Sequence, residues 1–161
     1  MGATTLYNFR TKVLDWTPGI AAAGHVANDV VAAFEEVALN EGGTATRPLR
    51  GTINYAIIHD ADEQSKQFDI LISDSSTVAM GAAEGSAVAM TDANAATILG
   101  VIDTGATYID VGGSTLAKPA AFSPIPFELS GDSLYIGIVT RASWTPTDVD
   151  KIVVRFGLTI E

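Results

Sequence analysis

The sequence predicts an all-β fold, an antiparallel sandwich or jelly roll, on three observations. β-Branched residues dominate, with 14 Ile and 13 Val against 10 Leu, and Thr reaches 17; such side chains pack well on a pleated surface and lose rotamer freedom in a helix. Apolar and polar residues alternate with period two in several segments, which turns one face of a strand toward a core. The strand candidates are short and follow one another at intervals of about 8–12 residues, with Gly, Ser and Pro clusters between them. No internal repeat is evident, which sets aside solenoids and propellers.

Residues 1–20, carrying Arg10, Lys12, Trp16 and Pro18, read as an arm ahead of a single domain over 21–161. Val26 to Leu39 is ambiguous. Val26, Val30, Ala33, Phe34 and Val37 match helical spacing, whereas Ala23-Gly24 and Asn28-Asp29 punctuate like turns before a strand. Periodicity alone leans to helix. Thr52 to Ile58 alternates through Ile53, Tyr55 and Ile57, and Phe68 to Ile72 through Phe68, Ile70 and Ile72. The polar run His59 to Gln67 between them predicts a hairpin.

Shorter strands are expected at Thr77 to Met80, Thr107 to Val111 and Ile125 to Leu129, and Thr91-Asp92 can cap one helical turn through Ala95 and Ala96. Leu134 to Arg141 is apolar on both faces, with Leu134, Ile136 and Ile138 on one side and Tyr135 and Val139 on the other, which predicts a central strand. In Lys151 to Ile160, the residues Ile152, Val154, Phe156, Leu158 and Ile160 share a face. The segment between, Ala142 to Asp150, reads as a long hairpin loop pairing these two strands antiparallel.

At 161 residues and 16.7 kDa the chain is long enough for one sizeable core, burying about 70% of its unfolded surface. Hydrophobic residues at 47% and charged ones at 17% exclude a disordered chain. A net charge of −10 leaves no basic footprint for nucleic acid or an anionic membrane surface. Without cysteine there is no disulfide, thiolate nucleophile or Cys-bound zinc, and His25 and His59 alone supply imidazole. Met1 to Lys12 does not read as a secretion signal, no apolar stretch is long enough to span a bilayer, and Leu6 stands where a myristoylation signal wants Ser or Thr.

Three motifs resemble chemistry. Gly131-Asp132-Ser133-Leu134 spells the signature of GDSL esterases, but a serine nucleophile needs a histidine base, and no histidine follows it. It reads as a turn feeding a strand. Val101-Ile-Asp103-Thr104-Gly105-Ala106 resembles the Asp-Thr-Gly of retroviral-type aspartic proteases, in which two copies bring two carboxylates together around one proton. The late apolar-apolar-Gly of that family has no convincing equivalent here, and Asp-Thr-Gly is also ordinary turn chemistry. His59-Asp60-Ala-Asp62-Glu63 offers oxygen ligands, yet lacks the Gly and distal Glu of an EF-hand, and reads as a solvated loop. No catalytic, cofactor or metal residue is assigned. Trp16 and Trp144 sit in expected loops and read as interface or core aromatics, with sugar stacking as a further possibility.

From Ala23 to Ile160 the order of motifs resembles the jelly-roll head decoration, or cement, proteins of tailed phages. The resemblance rests on Ala23-Gly24 leading to Asn28-Asp29-Val30-Val31, and on a strand ending at Ile58 with Asp60, Asp62 and Gln64 before Phe68 to Ile72. It continues through Thr91-Asp92 before Ile98 to Ile102, and Leu134-Tyr135 leading to Val139-Thr140-Arg141, then Pro146, Asp150 and Val153-Val154.

The resemblance implies strand for Asn28 to Leu39. It also implies a non-enzymatic virion protein, made in the host cytoplasm, that sits on the outer capsid surface and bridges major capsid protein subunits. Such a protein usually self-associates, as a dimer or trimer. Leu6, Tyr7, Phe9 and Trp16 of the arm, together with Trp144, are the expected capsid or oligomer contacts, and removal of residues 2–20 is expected to leave the fold intact. A carbohydrate- or receptor-binding module of a phage tail is the second reading, and a dimeric aspartic protease acting through Asp103 the third.

Overall fold

The computed structural model describes residues 9–20, 23–44, 46–105, 107–119, 122–146 and 152–161. Among them the fold is an all-β sandwich of two antiparallel sheets. The strands are β1 (Arg10–Trp16), β2 (Val30–Ala38), β3 (Leu49–Asp60), β4 (Phe68–Ser73), β5 (Ile98–Asp103), β6 (Ile109–Asp110), β7 (Thr115–Ala117), β8 (Ile125–Leu129), β9 (Ser133–Thr140) and β10 (Ile152–Ile160). One sheet runs β1-β10-β3-β7-β6, with β8 also paired to β3, and the other runs β2-β9-β4-β5.

The long pairings are nested. β1 lies on β10, β2 on β9, β3 on β8 and β4 on β5, all antiparallel. The chain is thus a ribbon folded at β4 and β5 whose outer strands are the first and the last.

The core lies between the sheets. β10 contributes Ile152, Val154, Phe156, Leu158 and Ile160, the face expected from alternation, and faces Leu134, Ile136 and Ile138 of β9 and Phe68, Ile70 and Ile72 of β4. β9 is central and buried on both sides, as its sequence predicts. Its second face meets a smaller cluster of Val30, Met80 and Val139, with Phe34, Leu71 and Val88 packed against it. That cluster is roofed by the segment between β4 and β5. Gly81 makes the roof possible: its φ of +71° is a left-handed conformation, and a Cβ there would lie 2.1 Å from the Ala89 carbonyl oxygen.

Several expectations are corrected. The two expected hairpins are sheet crossovers: β3 and β4 lie in opposite sheets, and so do β9 and β10. A polar loop after an alternating strand serves either connection equally well, because alternation reports the buried face and not the partner. Within β3, Ile53 is buried, but Tyr55 and Ile57 point outward and Ala56 and Ile58 inward. A bulge is responsible, since Gly157 opposes Tyr55 while Leu158 opposes Ile53, so Asn54 is extra and the faces exchange.

Val26 to Leu39 contains β2 and no helix. Its pairing with β9 shifts register twice, after Val30 and after Ala32, which spaces its buried residues irregularly. The single helical turn, α1 (Asp92–Ala95), has the expected cap, with the Thr91 side chain accepting from the Asn94 amide. Thr77 to Met80 is not a strand, and Thr107 to Val111 shrinks to the two residues of β6.

Residues 10–16 are no detached arm. They form β1, and Trp16 is buried in the core with Leu14 packed against it. Removing residues 2–20 would therefore strip a strand from the sheet, so the expectation that the fold survives this deletion is withdrawn.

Candidate functional site

Strand direction gathers at one end of the sandwich the connections leaving β1, β3, β5, β6 and β9. Their polar side chains staple loop to loop. The His25 amide donates to the Trp144 carbonyl at 2.6 Å and the Trp144 amide to His25 O at 2.9 Å. Gln64 Nε2 donates to Thr145 O at 3.0 Å and to Asp62 Oδ2 at 2.7 Å. The Arg141 amide donates to Gln67 O at 3.0 Å, and its guanidinium pairs with Asp69 at 2.8 Å. Asn28 turns the chain into β2 at a φ of +71°, a conformation Asn tolerates better than most residues.

The Asp-Thr-Gly segment belongs to this end. Asp103 Oδ1 accepts from Gln67 Nε2 and from the Gly105 amide, each at 2.8 Å. The Gln67 hydrogen bond, then the Gly105 amide, with the Arg141 charge adding to them, hold the Asp103 carboxyl below the usual carboxylate range. Thr104 is 1% exposed and does structural work: its hydroxyl oxygen accepts from the Phe68 amide at 2.9 Å, and its own amide donates to Phe68 O at 3.0 Å. Tyr108 donates its hydroxyl to Lys66 O at 2.6 Å, and burial pushes the phenol up to about 12. An open groove of about 450 Å³ runs beside Asp103 along β5, walled by Phe122 and prolines 119, 124 and 126.

The acidic loop is similarly occupied. Asp60, buried at the end of β3, accepts from the Asp62 amide at 2.9 Å and the Ser65 amide at 2.8 Å, which closes the turn into β4. Among the described residues no group of three His, Cys, Asp or Glu side chains is placed to hold a metal ion.

At the opposite end, Asp132 of the Gly-Asp-Ser-Leu motif accepts from the amides of Glu41 at 2.8 Å and Gly42 at 3.0 Å. Burial acts to raise its carboxyl, but the amides of Glu41, Gly42 and Gly43 and the Lys12 charge outweigh it, and the net direction is down. Ser133 donates its hydroxyl to Glu36 at 2.6 Å. The motif is a brace across two loops.

Of the expected contact residues, Leu6 and Tyr7 lie outside the described residues. Phe9 is 61% exposed. Trp16 and Trp144 are corrected to core residues, at 6% and 5% exposure. Trp16 donates its indole N–H to Glu35 Oε2 at 2.8 Å. Trp144 lies stacked on His25, centroids 5.5 Å apart, and edge-on to Phe68 at 5.1 Å. With both tryptophans buried, neither offers a platform for a sugar ring. Large apolar side chains that are exposed include Val13, Val26, Val101, Ile109 and Val111, none of which the sequence singles out as a contact residue.

A scan against protein-family models finds no match for this chain, and a search of curated proteins finds none either.

Proposed function

We propose that this chain is a non-enzymatic structural protein of a tailed-phage virion, a decoration or cement protein that binds the outer capsid surface and bridges neighbouring major capsid subunits. The observation that carries the reading is the nested pairing of β1 with β10, β2 with β9, β3 with β8 and β4 with β5. Nesting of this kind is what a ribbon wound into a jelly roll requires, so it supports the architecture that the motif resemblance implies. The fate of the reactive-looking side chains supports it further. Asp60, Asp103, Thr104 and Asp132 spend their oxygens on backbone amides that tie loops together, which suits a rigid brace loaded by its neighbours.

The test is to purify heads and tails separately from the virion that encodes the chain, and to locate the chain by mass spectrometry and cryo-electron microscopy. Hundreds of copies at regular positions on the head are expected. Absence from heads refutes the reading, and a location confined to the tail tip would favour receptor binding instead.

A further inference from the structure

Edge strands expose unpaired amides and carbonyls, and proteins ordinarily blunt them with bulges, prolines, short length or covering segments. Four of the five edges among the described residues are blunted, and β8 is one of them, with five residues and Pro126 among them. β6 has two residues. β2 breaks register twice, and segment 85–88 bonds to its start, through the Val30 amide to Ser86 O and the Gly85 amide to Val30 O. β5 carries a register shift and Gly100 pressed under Ile125. β1 differs: seven residues pair with β10 in unbroken register, and no described residue pairs with its other side.

We propose that β1 is a dimerisation edge, occupied by β1 of a second copy running antiparallel about a two-fold axis at Val13. The Glu161 amide donates to Arg50 O on β3, so odd-numbered residues of β10 turn their backbone groups toward β3 and even-numbered ones toward β1. The β1 partners of those even residues are Arg10, Lys12, Leu14 and Trp16. The backbone groups of Thr11, Val13 and Asp15 therefore point out of the sheet. A two-fold axis at Val13 sets Val13 against its own copy and Thr11 against Asp15, so the three outward residues satisfy one another.

The outer face has the same symmetry. Tyr55 lies over Gly157, which opposes Val13, itself 57% exposed at the edge. The row Tyr55, Gly157, Val13 would continue across the axis as its mirror order, burying the exposed valines together. Charge permits the approach. The charges on the strand are already matched within one copy, Arg10 and Lys12 by Glu41 and Asp15 by Arg155. Lys12 does not guard the edge, because its ammonium turns back to Leu39 O and Glu41.

This pairing stands whether or not the virion reading does. The test uses the full chain in light scattering and sedimentation velocity, beside Val13→Pro and Val13→Lys. A mass twice the 16.7 kDa chain is expected for the wild type. Val13→Pro removes one outward donor per copy without touching a β1–β10 bond, and should weaken association about 10- to 100-fold for the two backbone bonds lost. Val13→Lys opposes two ammonium groups on the axis and should leave monomer. Circular dichroism checks that both variants fold. Hydrogen exchange on the wild type decides the matter even if they do not: slow exchange at the Thr11, Val13 and Asp15 amides supports the pairing, and fast exchange overturns it. A wild-type monomer at about 100 µM, a trimer, or a dimer that persists in both folded variants also overturns it.

Discussion

Thr104 separates two accounts of what holds the loop end together. If its hydroxyl acts chiefly as acceptor for the Phe68 amide, 2.9 Å away and buried, then Thr104→Val, which keeps the shape, orphans that N–H in the core and costs about 1–3 kcal/mol. Thr104→Ser keeps the acceptor and loses a single buried methyl, about 0.8 kcal/mol. For a chain of this size a loss of about 2 kcal/mol lowers Tm by roughly 4–8 °C, against roughly 2–3 °C for the serine variant. Urea unfolding followed by tryptophan fluorescence is a suitable assay, because Trp144 meets Phe68 edge-on at 5.1 Å and reports on this neighbourhood. The valine variant should be the less stable of the two. If the serine variant is equally or more destabilised, methyl packing governs the site and the hydrogen-bond account of the Asp-Thr-Gly turn is wrong.

Two further outcomes follow from single positions. Gly51→Ala would set a Cβ 2.4 Å from Thr159 O and 2.5 Å from Phe127 Cζ, so β3 must part from β10 or Phe127 must move; a loss above about 3 kcal/mol in chemical denaturation is expected, and a neutral substitution would contradict the packing described. Asp132→Ala removes the acceptor for the Glu41 and Gly42 amides and should cost about 1–2 kcal/mol at neutral pH, the lower part of the range because the carboxylate is half-exposed. Since the folded carboxyl titrates below its ordinary value, that contribution is complete above about pH 4 and is lost as pH falls through the folded pKa, so the gap to wild type should narrow below about pH 4. A gap constant down to about pH 2 would mean the charge plays no part.

β10 was legible in full because an edge-free strand with one buried face writes strict alternation into its sequence, and β9 because burial on both faces removes it. Pairing was not legible. Nothing local distinguishes a loop that turns back within a sheet from one that crosses to the other, and Gln64 meets Thr145 across 81 positions of chain. The face change in β3 was hidden because Asn54 adds a residue without disturbing the apparent alternation; its one trace is Gly157 on the neighbouring strand, where Tyr55 needs the space. β2 imitated a helix for a related reason. Two register shifts within Val30 to Glu35 bring its buried positions to a mixed spacing, and Ala32 and Ala33 add helix propensity that tertiary pairing overrides. In the loop cluster, Asp60, read as part of a solvated loop, is buried, whereas Asp-Thr-Gly was readable as turn chemistry. The burial of Trp16 and Trp144 was not, since an aromatic flanked by Pro and Thr looks like an exposed loop residue until its partners Glu35, His25 and Phe68 are in place.

The nested ribbon also sets an order of events during translation. The partners of β1, β2 and β3 emerge from the ribosome in reverse, β8 first, then β9, and β10 last of all. β4–β5 and β6–β7 can join early and β3 gains β7 and then β8, but β2 waits for β9 and β1 for the last strand, β10, a slow topology with a long window for aggregation. A stop codon anywhere before Ile152 leaves β1 and β3 without the strand that lies between them, so truncated products should be insoluble rather than merely weakened.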